Sequence, residues 1–185
     1  MKIPDSDLSI RLLSKRVDLS SFCCTNDDLN DFLKNDSLKN QDDLISKTYL
    51  CYYQEHLAGY FTLTTDTLRV KYVDDSDCVN DFIYPQYPAI KLARLATDMR
   101  YQKRGIGTYM LLGAVGLAIE VSSITGCRYI TVDSKPESLQ FYIKQGFKEV
   151  KGGPKREYKP LYLNMYPIIE GLEPTESLDP YVESI

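Results

Sequence analysis

The stretch LARLATDMRYQKRGIG, residues 92–107, decides the fold of this chain. Its first half continues an alternating apolar segment that begins at residue 89 and is typical of a strand. Its second half is a basic, glycine-containing turn, and from Thr108 apolar residues recur at helical spacing as far as Gly126. The stretch therefore predicts a strand, a turn and a long helix, with the turn at the helix N-terminus.

This turn has the chemistry of a pyrophosphate site. The first N–H groups of a helix have no partner within it, and the helix dipole adds about half a positive charge there. Gly105 and Gly107 lack the Cβ atoms that would hold a phosphate away from the backbone, and Arg100, Lys103 and Arg104 add charge. The spacing fits neither a Walker loop nor a dinucleotide-binding loop. A tight left-handed turn without a ligand is the alternative.

Two motifs resemble a known family. The turn QKRGIG, residues 102–107, resembles the acyl-CoA signature of the Gcn5-related N-acetyltransferase (GNAT) superfamily. The later stretch FYIKQGF, residues 141–147, resembles that family's second signature, in which a short helix carries a tyrosine. The two motifs occur in the family's order, and the resemblance covers roughly residues 47–167.

The resemblance implies both a fold and a cofactor. The fold is α/β: a mixed, mostly antiparallel sheet of six or seven strands, flanked by helices and splayed at its central parallel pair. The cofactor is acetyl-CoA, with its pyrophosphate on the turn and its pantetheine arm along the edge of the central strand. The residues that the resemblance assigns to this cofactor are Leu95, Ala96, Thr97, Gln102, Lys103, Arg104, Gly105, Ile106, Gly107 and Thr108.

The resemblance also assigns the general acid to Tyr142. Acetyl transfer requires an aligned amine, a stabilised oxyanion and a protonated thiolate. A phenol, whose ordinary pKa is near ~10, is protonated at neutral pH and can donate to a thiolate. A core tyrosine is the alternative. The general base stays open between Asp66 and a water chain, and alternation alone does not show whether Arg94 faces the substrate cleft.

The remaining elements follow from the same patterns. A capped amphipathic helix is predicted over residues 25–33 and a polar helix over residues 37–44. The predicted strands are residues 10–13, 47–53, 57–70, 89–97, 127–133 and 161–166. We expect one domain, residues 1–169, followed by an acidic tail, residues 170–185. The tail contains five acids and no base, so the domain itself is nearly neutral although the net charge is -4.

Composition excludes several classes of protein. The single histidine, His56, has no cysteine or carboxylate companion, and the five cysteines have no CxxC spacing, which argues against a metal site or a disulfide framework. The chain has no uninterrupted apolar run of about 18 residues, and its first residues lack the apolar region of a signal peptide. We therefore expect a cytoplasmic protein without a membrane segment.

Two clusters of opposite charge stand out. Acids occupy the segment before the central strand, and bases follow the Tyr142 helix. They are Asp74, Asp75, Asp77 and Asp81, and Lys148, Lys151, Lys155, Arg156 and Lys159. Solvated loop charge is one interpretation, and a basic lip that receives an anionic acceptor is the other.

Five further segments are similar to the acetyltransferase toxins of toxin–antitoxin pairs. They read FC at 22–23, DLNDFL at 28–33, TYL at 48–50, AGYFTL at 58–63 and LARLA at 92–96. This similarity implies the amino group of aminoacyl-tRNA as acceptor, with tRNA and a ribbon-helix-helix antitoxin as partners and a homodimer as the assembly. An acetyltransferase of small amines or protein amino groups, and a CoA-binding protein without catalysis, are the alternatives.

Overall fold

The computed structural model describes residues 2–152 and 157–172, and its centre is one mixed sheet. The strands are β1 Leu8–Leu12, β2 Lys47–Tyr53, β3 His56–Arg69, β4 Gln86–Thr97, β5 Tyr129–Ser134, β6 Lys148–Glu149 and β7 Lys159–Asn164. They lie in the order β1-β2-β3-β4-β5-β7-β6, and β4 with β5 is the parallel pair. The predicted α/β fold with six or seven strands is confirmed.

Helices cover this sheet and complete the predicted order of elements. They are α1 Asp27–Asp31, α2 Ser37–Asp42, α3 Ile106–Ile124, α4 Leu139–Lys144 and α5 Tyr166–Glu170. A π-helical segment, Phe32–Asp36, joins α1 to α2. Asn26 caps α1 by accepting a hydrogen bond from the N–H of Leu29 at 3.1 Å. The elements predicted from hydrophobic periodicity are all present, with ends shifted by a few residues.

The parallel pair separates soon after it forms. Strands β4 and β5 pair only where Ala89, Ile90 and Lys91 face Tyr129, Ile130 and Thr131. Beyond Lys91, β4 continues to Thr97 with β3 as its only partner among the described residues. The far edge of β4 is therefore left without a neighbouring strand, which confirms the predicted splay.

A β-bulge in β4 determines which way its last residues face. Thr62 of β3 pairs with Arg94, but the next residue, Leu63, pairs with Leu92, so Ala93 is the extra residue. Leu92 packs in the core beneath α3, whereas the guanidinium of Arg94 lies over the ring of Phe32 on the opposite face. The bulge therefore resolves the ambiguity that alternation leaves in the sequence.

Helix α3 forms the largest core with the sheet. By length and composition alone it could cross a membrane, with a mean hydropathy of 1.4. In this fold its residues Met110, Leu111, Ala114 and Ala118 are buried against the strands. The apolar side chains of α3 therefore pack against the sheet, and this packing places the N-terminus of the helix against β4.

Asp98 fixes the joint between β4 and the turn. Its carboxylate, 1% exposed, accepts hydrogen bonds from the N–H groups of Cys23 at 3.0 Å and Arg100 at 2.9 Å. The guanidinium of Arg100 also donates to it, at 2.8 and 3.0 Å. Burial raises the pKa of Asp98, but the hydrogen bonds from Arg100 and Cys23 outweigh burial and leave the pKa lowered.

Replacing Asp98 with asparagine should destabilise the protein by about 1–3 kcal/mol at pH 7, because the variant loses charge-assisted hydrogen bonds at a buried site. Because folding lowers the pKa of Asp98, the ionised carboxylate stabilises the folded protein at any pH above its pKa in the unfolded chain, about 3.9. This stabilisation is lost as the pH falls through the lower pKa that Asp98 has in the folded protein. Urea denaturation of both proteins should therefore give curves that converge in acid. Asp5→Asn, at an exposed ion pair with Lys2, is the control. A difference that does not depend on pH would contradict this account.

Gly59 allows α3 to approach β3 closely. A Cβ at this position would lie 2.7 Å from Cε of Met110 and 2.9 Å from the carbonyl oxygen of Ala96.

Gly59→Ala should therefore lower the free energy of unfolding by about 1–3 kcal/mol through overpacking. Gly116→Ala is the matched control, because Gly116 lies within α3 with open space around it, and alanine there should stabilise by up to about 1 kcal/mol. Equal effects of the two changes in urea denaturation would refute the close approach.

Candidate active site

A cleft of about 550 Å³, here called the turn cleft, opens where β4 and β5 separate. Its walls come from the end of β4, the glycine turn, the start of α3, α4 and the segment before α1. The residues that line it are Cys24, Thr25, Asn26, Leu29, Leu95, Ala96, Thr97, Gln102, Lys103, Gly105, Gly107, Thr108, Lys135, Glu137, Ser138 and Phe141.

The turn cleft brings together most of the residues that the sequence assigns to the cofactor. Leu95, Ala96, Thr97, Gln102, Lys103, Gly105, Gly107 and Thr108 all line it. Arg104 and Ile106 do not: the Ile106 side chain is buried in the core, and the guanidinium of Arg104 lies 5.7 Å from the ring centroid of Tyr53.

The edge of β4 presents unpaired backbone groups to the turn cleft. The N–H of Asp98 donates to the carbonyl oxygen of Ala58 at 2.9 Å, so it faces β3. Because backbone groups alternate along a strand, those of Ala96 also face β3 and those of Leu95 and Thr97 face the cleft. An extended ligand could pair with this edge as an added strand would.

The glycine turn presents a second set of backbone donors. The N–H of Tyr109 donates to the carbonyl oxygen of Gly105 at 3.1 Å, so the N–H groups of Ile106, Gly107 and Thr108 precede the first intrahelical bond. Gly105 has a φ of 92°, a left-handed conformation that favours glycine. A Cβ on Gly107 would project between the ring of Phe141, at 3.7 Å, and Oγ1 of Thr97, at 3.8 Å. The turn therefore has the free amides and the space that a pyrophosphate needs.

The basic residues of the turn do not act alike. The Arg100 guanidinium is held by Asp98 and by the carbonyl oxygen of Ser21 at 3.2 Å. The guanidinium of Arg104 lies near the ring of Tyr53 and, at 5.9 Å from its centroid, the ring of Tyr101. Lys103 is the one of the three predicted phosphate-binding side chains that lines the turn cleft. Sequence spacing could not show this division, because it depends on side-chain direction.

Tyr142 lies in an adjoining space of about 450 Å³, here called the Tyr142 cavity, which shares Leu95 with the turn cleft. Its side chain is 6% exposed and its ring packs edge-on against Phe141 and Phe147, with centroids 5.0 and 5.5 Å away. Among residues 2–152 and 157–172 its hydroxyl has no hydrogen-bond partner. Burial raises the pKa of Tyr142, so the phenol keeps its proton at neutral pH.

Asp66, the carboxylate considered as a base, lies elsewhere. It accepts a hydrogen bond from the hydroxyl of Thr131 at 2.6 Å. It lines a third cavity of about 290 Å³, and Tyr142 is not among the residues that line this cavity. His56 is exposed at the start of β3, and its Nδ1 contacts the carbonyl oxygen of Gln54. Within the described parts of the chain no group of three potential metal ligands occurs.

Two bases of the basic cluster pair with two acids of the acidic cluster. Lys148 contacts Asp77 at 2.7 Å, and Lys151 contacts Asp74 at 2.7 Å. Tyr162 donates a further hydrogen bond to Asp77 at 2.9 Å, which fixes the acidic segment to the sheet. Because Lys148 and Lys151 are paired with acids, they do not contribute to a basic surface that could receive an anionic acceptor. Lys155 and Arg156 lie outside the described residues.

Sequence reasoning missed the wall formed by the segment before α1. Cys24, Thr25 and Asn26 line the turn cleft, and the Asn30 side chain fixes the backbone of Cys24 with bonds of 2.8 and 2.9 Å. The capping signal of Asn26 marks a helix start, but nothing local in the sequence indicates that this start meets the glycine turn. The contact arises from Asp98, which binds the backbone of Cys23.

Comparison with known proteins identifies the domain. The model of the acetyltransferase (GNAT) domain matches residues 25–165. The tRNA-acetylating toxin of Mycobacterium tuberculosis is 27% identical over 139 residues, which cover 75% of this chain and 82% of the toxin. The residues matched by the family model include β4, the glycine turn and the Tyr142 helix.

Solved structures share the fold. AtaT complexed with acetyl-methionyl-tRNAfMet superimposes with a TM-score of 0.79 at 23% identity, over 88% of this chain and 97% of AtaT. A mutant of AtaT bound to the C-terminus of the antitoxin AtaR and to acetyl-CoA gives a TM-score of 0.71 at 22% identity, over 88% and 96%. The residues that the family model matches span nearly the whole site. The chain therefore belongs to the GNAT acetyltransferase family, and it is an acyltransferase whose donor is acetyl-CoA.

Proposed function

We propose that this acetyltransferase modifies the amino group of an aminoacyl-tRNA. The observation that carries the proposal is the similarity to the tRNA-acetylating toxin of Mycobacterium tuberculosis, which extends over 82% of that protein. The fold shared with AtaT, solved with acetyl-methionyl-tRNAfMet, supports it. An acetyltransferase of small amines or protein amino groups is the competing function.

The donor would occupy the turn cleft. Acetyl-CoA supplies an activated acetyl group when bound. The backbone of Leu95, Ala96 and Thr97 would align its extended arm, with an N–H of this edge directed at the thioester oxygen. The amides of Gln102, Lys103, Arg104, Gly105, Ile106, Gly107 and Thr108 would bind its phosphates.

Tyr142 would serve as the general acid. Its position in a cavity that shares Leu95 with the turn cleft supports this role, because the phenol lies beside the strand edge proposed to hold the thioester. Its raised pKa keeps the proton available for the departing sulfur at neutral and mildly alkaline pH. The amine would then approach from the Tyr142 cavity, on the side of the strand away from the glycine turn.

The wider setting follows from the same proposal. Residues 1–169 would form a single catalytic domain, and the acidic tail would begin at Glu170, although residues 173–185 lie outside the described part of the chain. The partners would be tRNA and an antitoxin of the ribbon-helix-helix type, in line with the AtaT mutant solved with the C-terminus of AtaR. A homodimer in the cytoplasm, where charged tRNA is found, completes the proposal.

The acceptor can be identified directly. Purified protein is incubated with acetyl-CoA and, separately, with charged tRNA, a protein extract and a mixture of small amines, and products are analysed by mass spectrometry. We expect N-acetylated aminoacyl groups on tRNA in large excess over other products. Uncharged tRNA is the control, because it has no amine to accept the group. Acetylation confined to proteins or small amines would refute the proposed acceptor.

Tyr142→Phe should reduce kcat by about 10²- to 10⁴-fold through loss of the acid, with little change in affinity for acetyl-CoA. Because burial raises the pKa of this phenol, wild-type kcat should show no loss assignable to Tyr142 below pH ~10. Tyr166→Phe is the matched control, since Tyr166 is 49% exposed on α5 and lines neither cavity. Steady-state kinetics with calorimetric titration of acetyl-CoA would decide, and an unchanged kcat would exclude Tyr142 as the acid.

A further inference from the structure

Arg94 is a cation in the Tyr142 cavity that no acid among the described residues neutralises. Within residues 2–152 and 157–172 it forms no ion pair, although Asp28 lines the same cavity. Lys91, also on this wall, is paired with Asp133 at 2.6 Å. A half-buried guanidinium without a carboxylate partner has charge and hydrogen-bond donors left for a ligand.

The guanidinium is held in a defined orientation. Its central carbon lies 3.6 Å from the ring centroid of Phe32, the closest such distance among the cation–aromatic contacts of the described residues. Phe32 is itself 4% exposed and packs in a core cluster with Phe22, Leu33 and Tyr60. It begins the π-helical segment between α1 and α2, a local widening that often occurs at functional sites.

Stacking leaves the useful part of the group free. An arginine that lies flat on a ring has one face covered, but its N–H donors point outward in the plane of the guanidinium. Those donors match two oxygens of one phosphate. The bulge at Ala93 and the packed ring of Phe32 fix this arrangement before any ligand arrives, so little side-chain entropy is lost on binding.

The position of Arg94 indicates that this phosphate belongs to the acceptor and not to the donor. The phosphates of the donor belong to the glycine turn, on the side of β4 that faces α3. Arg94 lines the Tyr142 cavity and not the turn cleft, whereas Lys135 lines both. Arg94 also immediately precedes Leu95, so a group that it binds lies close to the strand edge at which the amine must react.

We propose that Arg94, stacked on Phe32, binds a phosphate of the acceptor, next to the aminoacylated end of the tRNA. This inference rests on the proposed function and adds the residue that positions the acceptor. An acceptor held at this phosphate would present its amine to the Tyr142 cavity from one direction. Amines without a neighbouring phosphate would lack this contact and bind weakly.

The experiment compares four proteins: wild type, Arg94→Gln, Arg94→Lys and Arg128→Gln. Arg128 is the matched control, because its guanidinium also stacks on an aromatic ring, 4.6 Å from the centroid of Tyr166, but it lines neither cavity. KM and kcat are measured with charged tRNA over a series of salt concentrations. The affinity for acetyl-CoA is measured separately by calorimetry.

Arg94→Gln should raise KM for charged tRNA by about 10- to 100-fold, the effect of losing a hydrogen-bonded charge. It should also reduce the slope of log KM against log salt by about 0.7, the value for one phosphate of a single strand. Affinity for acetyl-CoA should not change. Arg94→Lys should keep the salt slope but raise KM, because lysine has the charge without the planar fork.

Three outcomes would overturn the inference. If Arg94→Gln has the same KM and salt slope as Arg128→Gln, Arg94 does not bind the acceptor. If Arg94→Gln weakens acetyl-CoA instead, the phosphate belongs to the donor. If the wild-type protein does not acetylate charged tRNA, the proposed function itself fails and this inference with it, which the first two outcomes do not imply.

Discussion

The short pairing of β4 with β5 is the constraint on which the rest of the site depends. Three residue pairs hold the strands together, and beyond them each strand follows a different neighbour. A parallel pair that continued would bury the backbone of Leu95 and Thr97 in a ladder. Because the strands part, the same groups become available to a ligand, and both α3 and α4 line the gap.

Two contacts position the elements that surround this gap. Gly59 admits Met110, which brings α3 against the sheet so that its N-terminus lies at the end of β4. Asp98 binds the backbone of Cys23 and thereby supplies the wall in front of α1. The apolar core and one buried carboxylate therefore form the cleft.

Much of this was accessible from the sequence because it depends on local signals. Periodicity located β4 and α3, and the glycine spacing of residues 102–107 located the turn. The order of the two motifs indicated the family and the splayed sheet. These features follow from which residues adjoin along the chain, and they require no knowledge of side-chain direction.

What the sequence could not provide depends on contacts between distant segments. Arg104 and Ile106 belong to the turn in sequence, yet one side chain reaches Tyr53 and the other enters the core. Lys148 and Lys151 suggested a basic surface, but their acids come from about 70 residues earlier in the chain. The bulge at Ala93 has no local signal at all, since alanine is compatible with a regular strand.

That bulge, rather than the character of the side chains, assigns the last residues of β4 to the two faces of the sheet. If β4 ran as a regular strand through Ala93, Arg94 would turn toward α3 and the side chain of Leu95 would turn toward the opposite face. The residues would be unchanged, yet the cation and the apolar side chain would exchange sides of the sheet. One unpaired residue in the ladder therefore decides on which side of the sheet the charge of Arg94 lies.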